Sequence, residues 1–260
     1  MDDRLKSLIL PRRLLVIAAA PAESRAVAAA CSRPPPDRDW QLVHLSPEID
    51  LVQCGVGKVN AAICAARITD PKLHAAVINM GIAGSLGPSP PALGTTILAT
   101  SSVYADEGLA TPDGFLGLDA IGFPLGGTPA PAFTGSGIPA DPDLTLAASH
   151  ALAALPGQAR LAAPVATVST CSGVDALAAA VFDRTGASAE AMEGAAIAHT
   201  LRRLHGDALR FLELRVISNT TGDRTRQKWD IRLALSVLTR CAAALLAPHT
   251  TPPEPTAPAT

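Results

Sequence analysis

Apolar residues recur along this chain in short runs separated by turn-forming clusters, and the period of each run predicts its structure. Residues 13–19 are apolar without a break after Arg13, which predicts a strand buried on both faces, preceded by a short exposed leader. Residues 23–30 read as a helix that Pro34, Pro35 and Pro36 bring to a stop. Residues 40–45 and 49–54 predict two strands joined as a hairpin, and Gly55 and Gly57 mark a turn opening a helix that runs to 68. Another buried strand is expected over 75–80, closed by a turn at 81–84, and a β-rich stretch over 95–104. Residues 105–143 are dense in Gly and Pro and predict a long loop with little regular structure, a kind of segment that usually serves function. A helix at 144–154, a strand at 163–169, a helix at 175–185, a helix begun by Glu193, a strand at 209–218 and a helix at 227–246 complete the pattern. Strands alternating with helices predict an α/β fold on a mostly parallel sheet.

Composition narrows this picture. The chain has 260 residues, enough for one domain, expected over 1–247, followed by a Pro/Thr-rich tail over 248–260 that is expected to be disordered. Aromatics make up 3% of a chain that is 48% hydrophobic, so the core should consist of small-residue helices packed closely on the sheet. The net charge of −2 argues against a broad grip on nucleic acid. Five cysteines without a Cys-x-x-Cys pair fit reduced thiols and offer no zinc or haem framework, and no His has a metal-ligand spacing, so no metal or cofactor is expected. No apolar run approaches the roughly 20 residues that span a bilayer. The first residues lack a signal-peptide pattern. A soluble, cytoplasmic protein without a membrane partner is expected.

The candidate chemistry gathers where open α/β sheets bind ligands, beyond the C-terminal ends of strands. Glu23 follows the first strand, Gly81 to Gly84 the strand at 75–80, Ser169 to Ser172 the strand at 163–169, and Asn219 the strand at 209–218. Breaking an N-glycosidic bond builds positive charge on the sugar and negative charge on the departing base. It calls for a carboxylate on the sugar hydroxyls, a second to activate water, and a partner for the base. Glu193 suits the first task, Glu23 the second and Asn219 the third. Plainer roles stand beside these: a helix N-terminal carboxylate for Glu193, a solvated helix-start residue for Glu23, a turn residue for Asn219. Gly81, Ile82 and Ala83 could offer backbone N–H groups to a base or phosphate, although neither Gly-x-Gly-x-x-Gly nor Walker spacing occurs.

Three segments in register carry a resemblance. Val77-Ile-Asn-Met-Gly-Ile-Ala-Gly84, Ala191-Met-Glu-Gly-Ala-Ala-Ile-Ala-His199 and Arg215-Val-Ile-Ser-Asn219 resemble the nucleoside phosphorylase and methylthioadenosine/S-adenosylhomocysteine nucleosidase superfamily over almost the whole chain. Within it, Gly55-Val-Gly-Lys-Val-Asn60, Asp113-Gly-Phe115 and Ile217-Ser-Asn-Thr-Thr-Gly-Asp-Arg224 followed by Trp229 look most like the futalosine hydrolases of menaquinone biosynthesis. The resemblance implies a three-layer αβα fold, a homo-oligomer (dimer or tetramer), a small nucleoside as substrate and hydrolysis of futalosine to hypoxanthine and dehypoxanthine futalosine without a cofactor. A 6-oxopurine nucleoside phosphorylase and a non-catalytic nucleoside-binding protein are the alternatives.

By the same resemblance, Glu193 holds the ribose hydroxyls, Met192 packs under the sugar, and Glu23 activates water. Asn219 stands where adenosine-type nucleosidases carry an Asp. An amide cannot supply a proton, but its NH₂ donates to a 6-oxo group and its carbonyl accepts from a purine N7–H, so Asn219 favours hypoxanthine over adenine. Trp229 falls where nucleosidases place an aromatic against the 5′ substituent. Arg224 is the candidate partner for a benzoate carboxylate, with a surface arginine as its plain alternative. Phe115 is a candidate pocket residue, its own or a neighbouring subunit's, with core packing as the alternative.

Overall fold

A computed structural model describes residues 1–127 and 133–247; the expected disordered tail lies outside them, as do five residues of the Gly/Pro-rich stretch. In chain order the elements are α1 (Asp3–Ile9), β1 (Arg13–Ala18), α2 (Pro21–Ala30), β2 (Leu42–Ser46), β3 (Ile49–Gln53), α3 (Lys58–Ile68), β4 (His74–Ser85), β5 (Thr96–Tyr104), β6 (Gly108–Thr111), β7 (Gly114–Gly117), β8 (Gly137–Pro139), α4 (Pro142–Ala153), β9 (Arg160–Thr167), α5 (Asp175–Thr185), β10 (Ala189–Ala191), α6 (Gly194–His205), β11 (Arg210–Thr220) and α7 (Ile231–Leu246).

The central sheet runs β10-β9-β5-β11-β4-β1-β3-β2, with β8 added to β5 and β10 also pairing β4. Its middle is parallel: β11, β4, β1 and β3 all point the same way, while β2, β5 against β11, β8, and β10 against β4 pair antiparallel. The sheet is therefore mixed around a parallel centre. Alternation along β1 explains why both faces need helices. Leu14 and Val16 join the core beneath α2, α4 and α7, whereas Leu15 and Ile17 join the core beneath α3 and α6. The result is the three-layer αβα arrangement.

Three expectations change. The leader is not exposed coil: Asp2 caps α1 through the Arg4 and Leu5 N–H groups, and Leu5 and Ile9 are buried in the core, because a short amphipathic turn can dock although it is too brief to show a period. The segment 81–84 is no turn. β4 continues through it to Ser85, since Gly81 and Gly84 are places where other side chains press on the strand. Part of 105–143 is ordered as the β6–β7 hairpin and β8.

Candidate active site

The C-terminal ends of β1, β4, β9 and β11 meet with β10 and the start of α6 around two adjoining cavities. One, of about 260 Å³, is lined by Glu23, Met192, Glu193, Arg215, Asn219 and Trp229 among others. The other, of about 330 Å³, is lined by Gly84, Ser172, Glu190, Asn219, Arg224 and Trp229 among others. Gly84, Cys171, Glu190, Asn219 and Trp229 belong to both. A separate cleft of about 380 Å³ beside α5 contains none of the candidate residues.

Glu23 sits at the third position of α2 and curls back over the helix start. Its Oε2 accepts from the Ala19 N–H at 3.1 Å and the Ala20 N–H at 2.8 Å, and its Oε1 accepts from the Ile82 N–H at 2.8 Å. It is thus a helix-start carboxylate, but a buried one at 4% exposure, not a solvated one. Burial pushes its carboxyl above the usual range, against the opposing pull of Arg215 and the backbone donors.

Glu193 precedes α6, yet its side chain does not cap that helix. Its Oε1 accepts from the Gly57 N–H at 3.0 Å, and its Oε2 from Arg215 Nη2 at 3.1 Å. Gly57 has φ of 98°, so the turn expected there delivers a backbone donor that only glycine presents without strain. Met192 is half-buried at the cavity wall and packs against the apolar cluster that includes Leu86 and Val168.

Arg215 joins these carboxylates, and sequence reasoning missed it. It is 1% exposed; its Nε donates to Glu213 at 2.8 Å and its Nη2 donates to Asn79 Oδ1 at 2.5 Å and to Glu193. Glu213 is fully buried, bonds Ser102, and has its carboxyl raised by burial. The signal was present: Glu213 and Arg215 are charges two apart in an otherwise apolar strand, hence on one face, and a charge so placed must be paired. Gly81 makes room for the cluster. A Cβ there would lie 2.5 Å from both Arg215 Nη1 and Glu23 Oε1. Gly81→Ala is accordingly expected to lower kcat about 100-fold, with a destabilisation of about 1–3 kcal/mol from overpacking, checked by steady-state kinetics and thermal melting.

Asn219 is a buried strand residue and not a turn residue. Its Oδ1 accepts from Ser218 Oγ at 2.8 Å and its Nδ2 donates to the Thr220 carbonyl at 3.0 Å, which leaves one N–H and one lone pair for a ligand. An isolated bridge pairs it with Trp229, and the Arg224 guanidinium lies 4.8 Å from the Trp229 ring centre. Arg224 lines the cavity of Ser172 and Gln227 and not the one that holds Glu23 and Glu193. Ile82 and Ala83 line the cavity of Glu23, but the Ile82 N–H is already engaged by that carboxylate. Phe115 does not reach either cavity in its own chain; it packs beneath Arg184, 4.2 Å from its guanidinium carbon, because the β6–β7 hairpin turns it that way. Glu190, also missed, is buried and accepts from Ser172 N–H at 2.8 Å and Ser172 Oγ at 2.6 Å, while burial raises its carboxyl.

The profile of the Phosphorylase superfamily matches residues 16–247. Futalosine hydrolase of Streptomyces coelicolor is 37% identical over 235 residues, covering 87% of this chain and 92% of that one. Its counterpart of Thermus thermophilus is 34% identical over 198 residues, covering 75% and 80%. The chain belongs to the phosphorylase superfamily, among its futalosine hydrolases. Solved superfamily folds agree. The methylthioadenosine/S-adenosylhomocysteine nucleosidase of Neisseria meningitidis, in complex with methylthio-immucillin-A, aligns with TM-score 0.70 at 23% identity over 90% of this chain and 96% of that one. A futalosine hydrolase of Helicobacter pylori aligns with TM-score 0.67 at 17% identity, covering 90% and 97%. Among the described residues no helix is long and apolar enough to cross a membrane.

Proposed function

We propose that the chain hydrolyses the N-glycosidic bond of futalosine, releasing hypoxanthine and dehypoxanthine futalosine as a step of menaquinone biosynthesis, and that residues 1–247 form one catalytic domain of a cytoplasmic homo-oligomer. The observation that carries this reading is the placing of Asn219, an amide and not a carboxylate, in the cavity that also holds Glu23 and Glu193.

In this mechanism the ribose lies over Met192 with its 2′- and 3′-hydroxyls donating to Glu193, whose position is held by Gly57 and Arg215. The C1′–N9 bond breaks with its electron pair passing to the base, and the sugar carries the positive charge. A water between Glu23 Oε1 and Arg215 Nη1 gives its proton to Glu23 as its oxygen bonds C1′. The base leaves as neutral hypoxanthine after taking a proton at N7 from solvent, and Glu23 returns the proton it took to solvent, which closes the balance. Asn219 accepts from that N7–H and donates to the 6-oxo group. Trp229, which borders both cavities, stacks on the aromatic 5′ group.

Phosphorolysis fits less well. The Arg215 guanidinium is already engaged by Glu213, Asn79 and Glu193, so it has little left to offer a phosphate dianion. Incubation of the protein with futalosine in phosphate-free buffer is expected to release free hypoxanthine; an intact substrate would refute the proposal.

The pH dependence has a definite sign. Catalysis needs Glu23 ionised, and burial holds its carboxyl above the ordinary range near about 4.3. Activity should therefore be lost as pH falls through that raised value, so the acid limb of kcat/KM lies above the ordinary carboxylate range. A limb at or below it in a pH–rate profile would contradict the role given to Glu23.

A further inference from the structure

Glu190 is a buried carboxylate for which the mechanism above has no use. Strand register places it with care. In the sheet Glu190 of β10 pairs with Gly84 of β4, and Gly84 pairs on its other side with Asn219 of β11. Residues side by side across a sheet point to the same face, so Glu190 and Asn219 flank Gly84, with Cα atoms separated by two strand spacings, about 10 Å. Gly84 has no side chain to fill the interval. The point where its Cβ would stand is 2.8 Å from Thr221 Cγ2, 3.0 Å from Asn219 Nδ2 and 3.5 Å from Glu190 Cγ. The Thr221 methyl closes one side of this glycine, and on its open side Gly84, the Asn219 amide and the Glu190 carboxylate line both cavities together.

Two bonds from Ser172 fix the polarity of Glu190. Ser172 gives one N–H to Oε1 and one O–H to Oε2, which leaves further lone pairs on both oxygens and no vacant donor. The carboxylate is therefore set to accept. On a 6-oxopurine the carbonyl acceptor O6 is followed directly by the donor N1–H. On a 6-aminopurine the order is reversed, a donor at position 6 followed by an acceptor at N1.

We infer that Glu190 is a second base-reading residue, accepting N1–H of a 6-oxopurine whose O6 accepts from Asn219. Resting on the hydrolase reading, it turns one-point recognition by Asn219 into a two-point test that a 6-aminopurine fails twice. Each mismatch leaves buried polar groups unpaired. Gly84 belongs to the device, since any side chain there would enter that interval.

The substitution Glu190→Gln keeps the shape and adds an NH₂ that can donate to N1 of an aminopurine. With 6-amino-6-deoxyfutalosine and futalosine as paired substrates, kcat/KM for futalosine should fall about 10- to 100-fold, while that for the amino compound changes less than about threefold or rises. An equal fall for both would overturn the assignment and leave Glu190 as a support for Ser172. Because the variant could fail to fold, the unaltered protein supplies a second measurement. Calorimetric binding of hypoxanthine should exceed that of 1-methylhypoxanthine at least about tenfold; equal binding overturns the assignment. Futalosine left intact by a protein that still discriminates these two bases would refute the hydrolase reading and uphold Glu190. Futalosine turnover with equal falls in the variant would do the reverse.

Discussion

Glu23→Gln is expected to lower kcat for futalosine by about 10²- to 10⁴-fold with little change in KM, the range lost when a positioned general base is removed. The amide can keep only one oxygen. If that oxygen continues to serve the Ala19 and Ala20 N–H groups, the new NH₂ faces the Ile82 N–H, and two donors meet. The structural cost of that conflict is about 1–3 kcal/mol, which melting would register. Kinetics separate the two effects, since a merely misplaced strand end would raise KM along with lowering kcat, whereas loss of the base leaves binding of the ground state intact. A variant retaining more than a tenth of the native kcat would remove Glu23 from the chemistry.

Arg215→Met should show the largest loss of stability. The substitution strips the counter-charge from Glu213 and Glu193, both bonded to the guanidinium, and from Glu23 close by. Breaking a buried ion pair from one side costs about 3–5 kcal/mol, because the partner stays buried without compensation. For a domain of this size each kcal/mol moves Tm by about 2–4 °C, so a fall of about 6–20 °C is expected. Activity should drop with it, as Glu193 loses its anchor. Adding Glu213→Gln to Arg215→Met should restore part of the stability and none of the activity, since the orphaned charge is gone but the site remains unheld. If Arg215→Met melts within about 2 °C of the native protein, the guanidinium is not the electrostatic hub described here.

Much of the fold was legible because most of its elements carry their own period. β1 and β11 are apolar runs of strand length, and α7 has an Asp230 cap followed by a buried stripe. What escaped depends on contacts distant in sequence. α1 gains its stability by docking and not from its own pattern. Gly81 and Gly84 read as a turn because glycine so often marks one, but here they admit side chains from α2, β10, β11 and the residue after it.

The site divides in the same way. Glu193 and Asn219 were legible from local pattern and resemblance, and Glu23 from its place after the first strand. Arg215 sits inside an apolar strand pattern, and its partners Asn79 and Glu193 lie on other elements that the strand's own period does not reveal. Glu190 was hidden by spacing: three residues before Glu193, it looks like a helical neighbour. In fact α6 begins at Gly194, and Glu190 belongs to a strand whose partner is Gly84. Only the register sets it opposite Asn219.

The central claim is that water, and not phosphate, attacks a futalosine held at Glu193 and Asn219. The rate of hypoxanthine release from futalosine, measured with and without added phosphate, tests it most directly. The expected result is the same kcat/KM in both buffers with no sugar phosphate formed. Release that begins only when phosphate is added, with a sugar 1-phosphate as product, would contradict it.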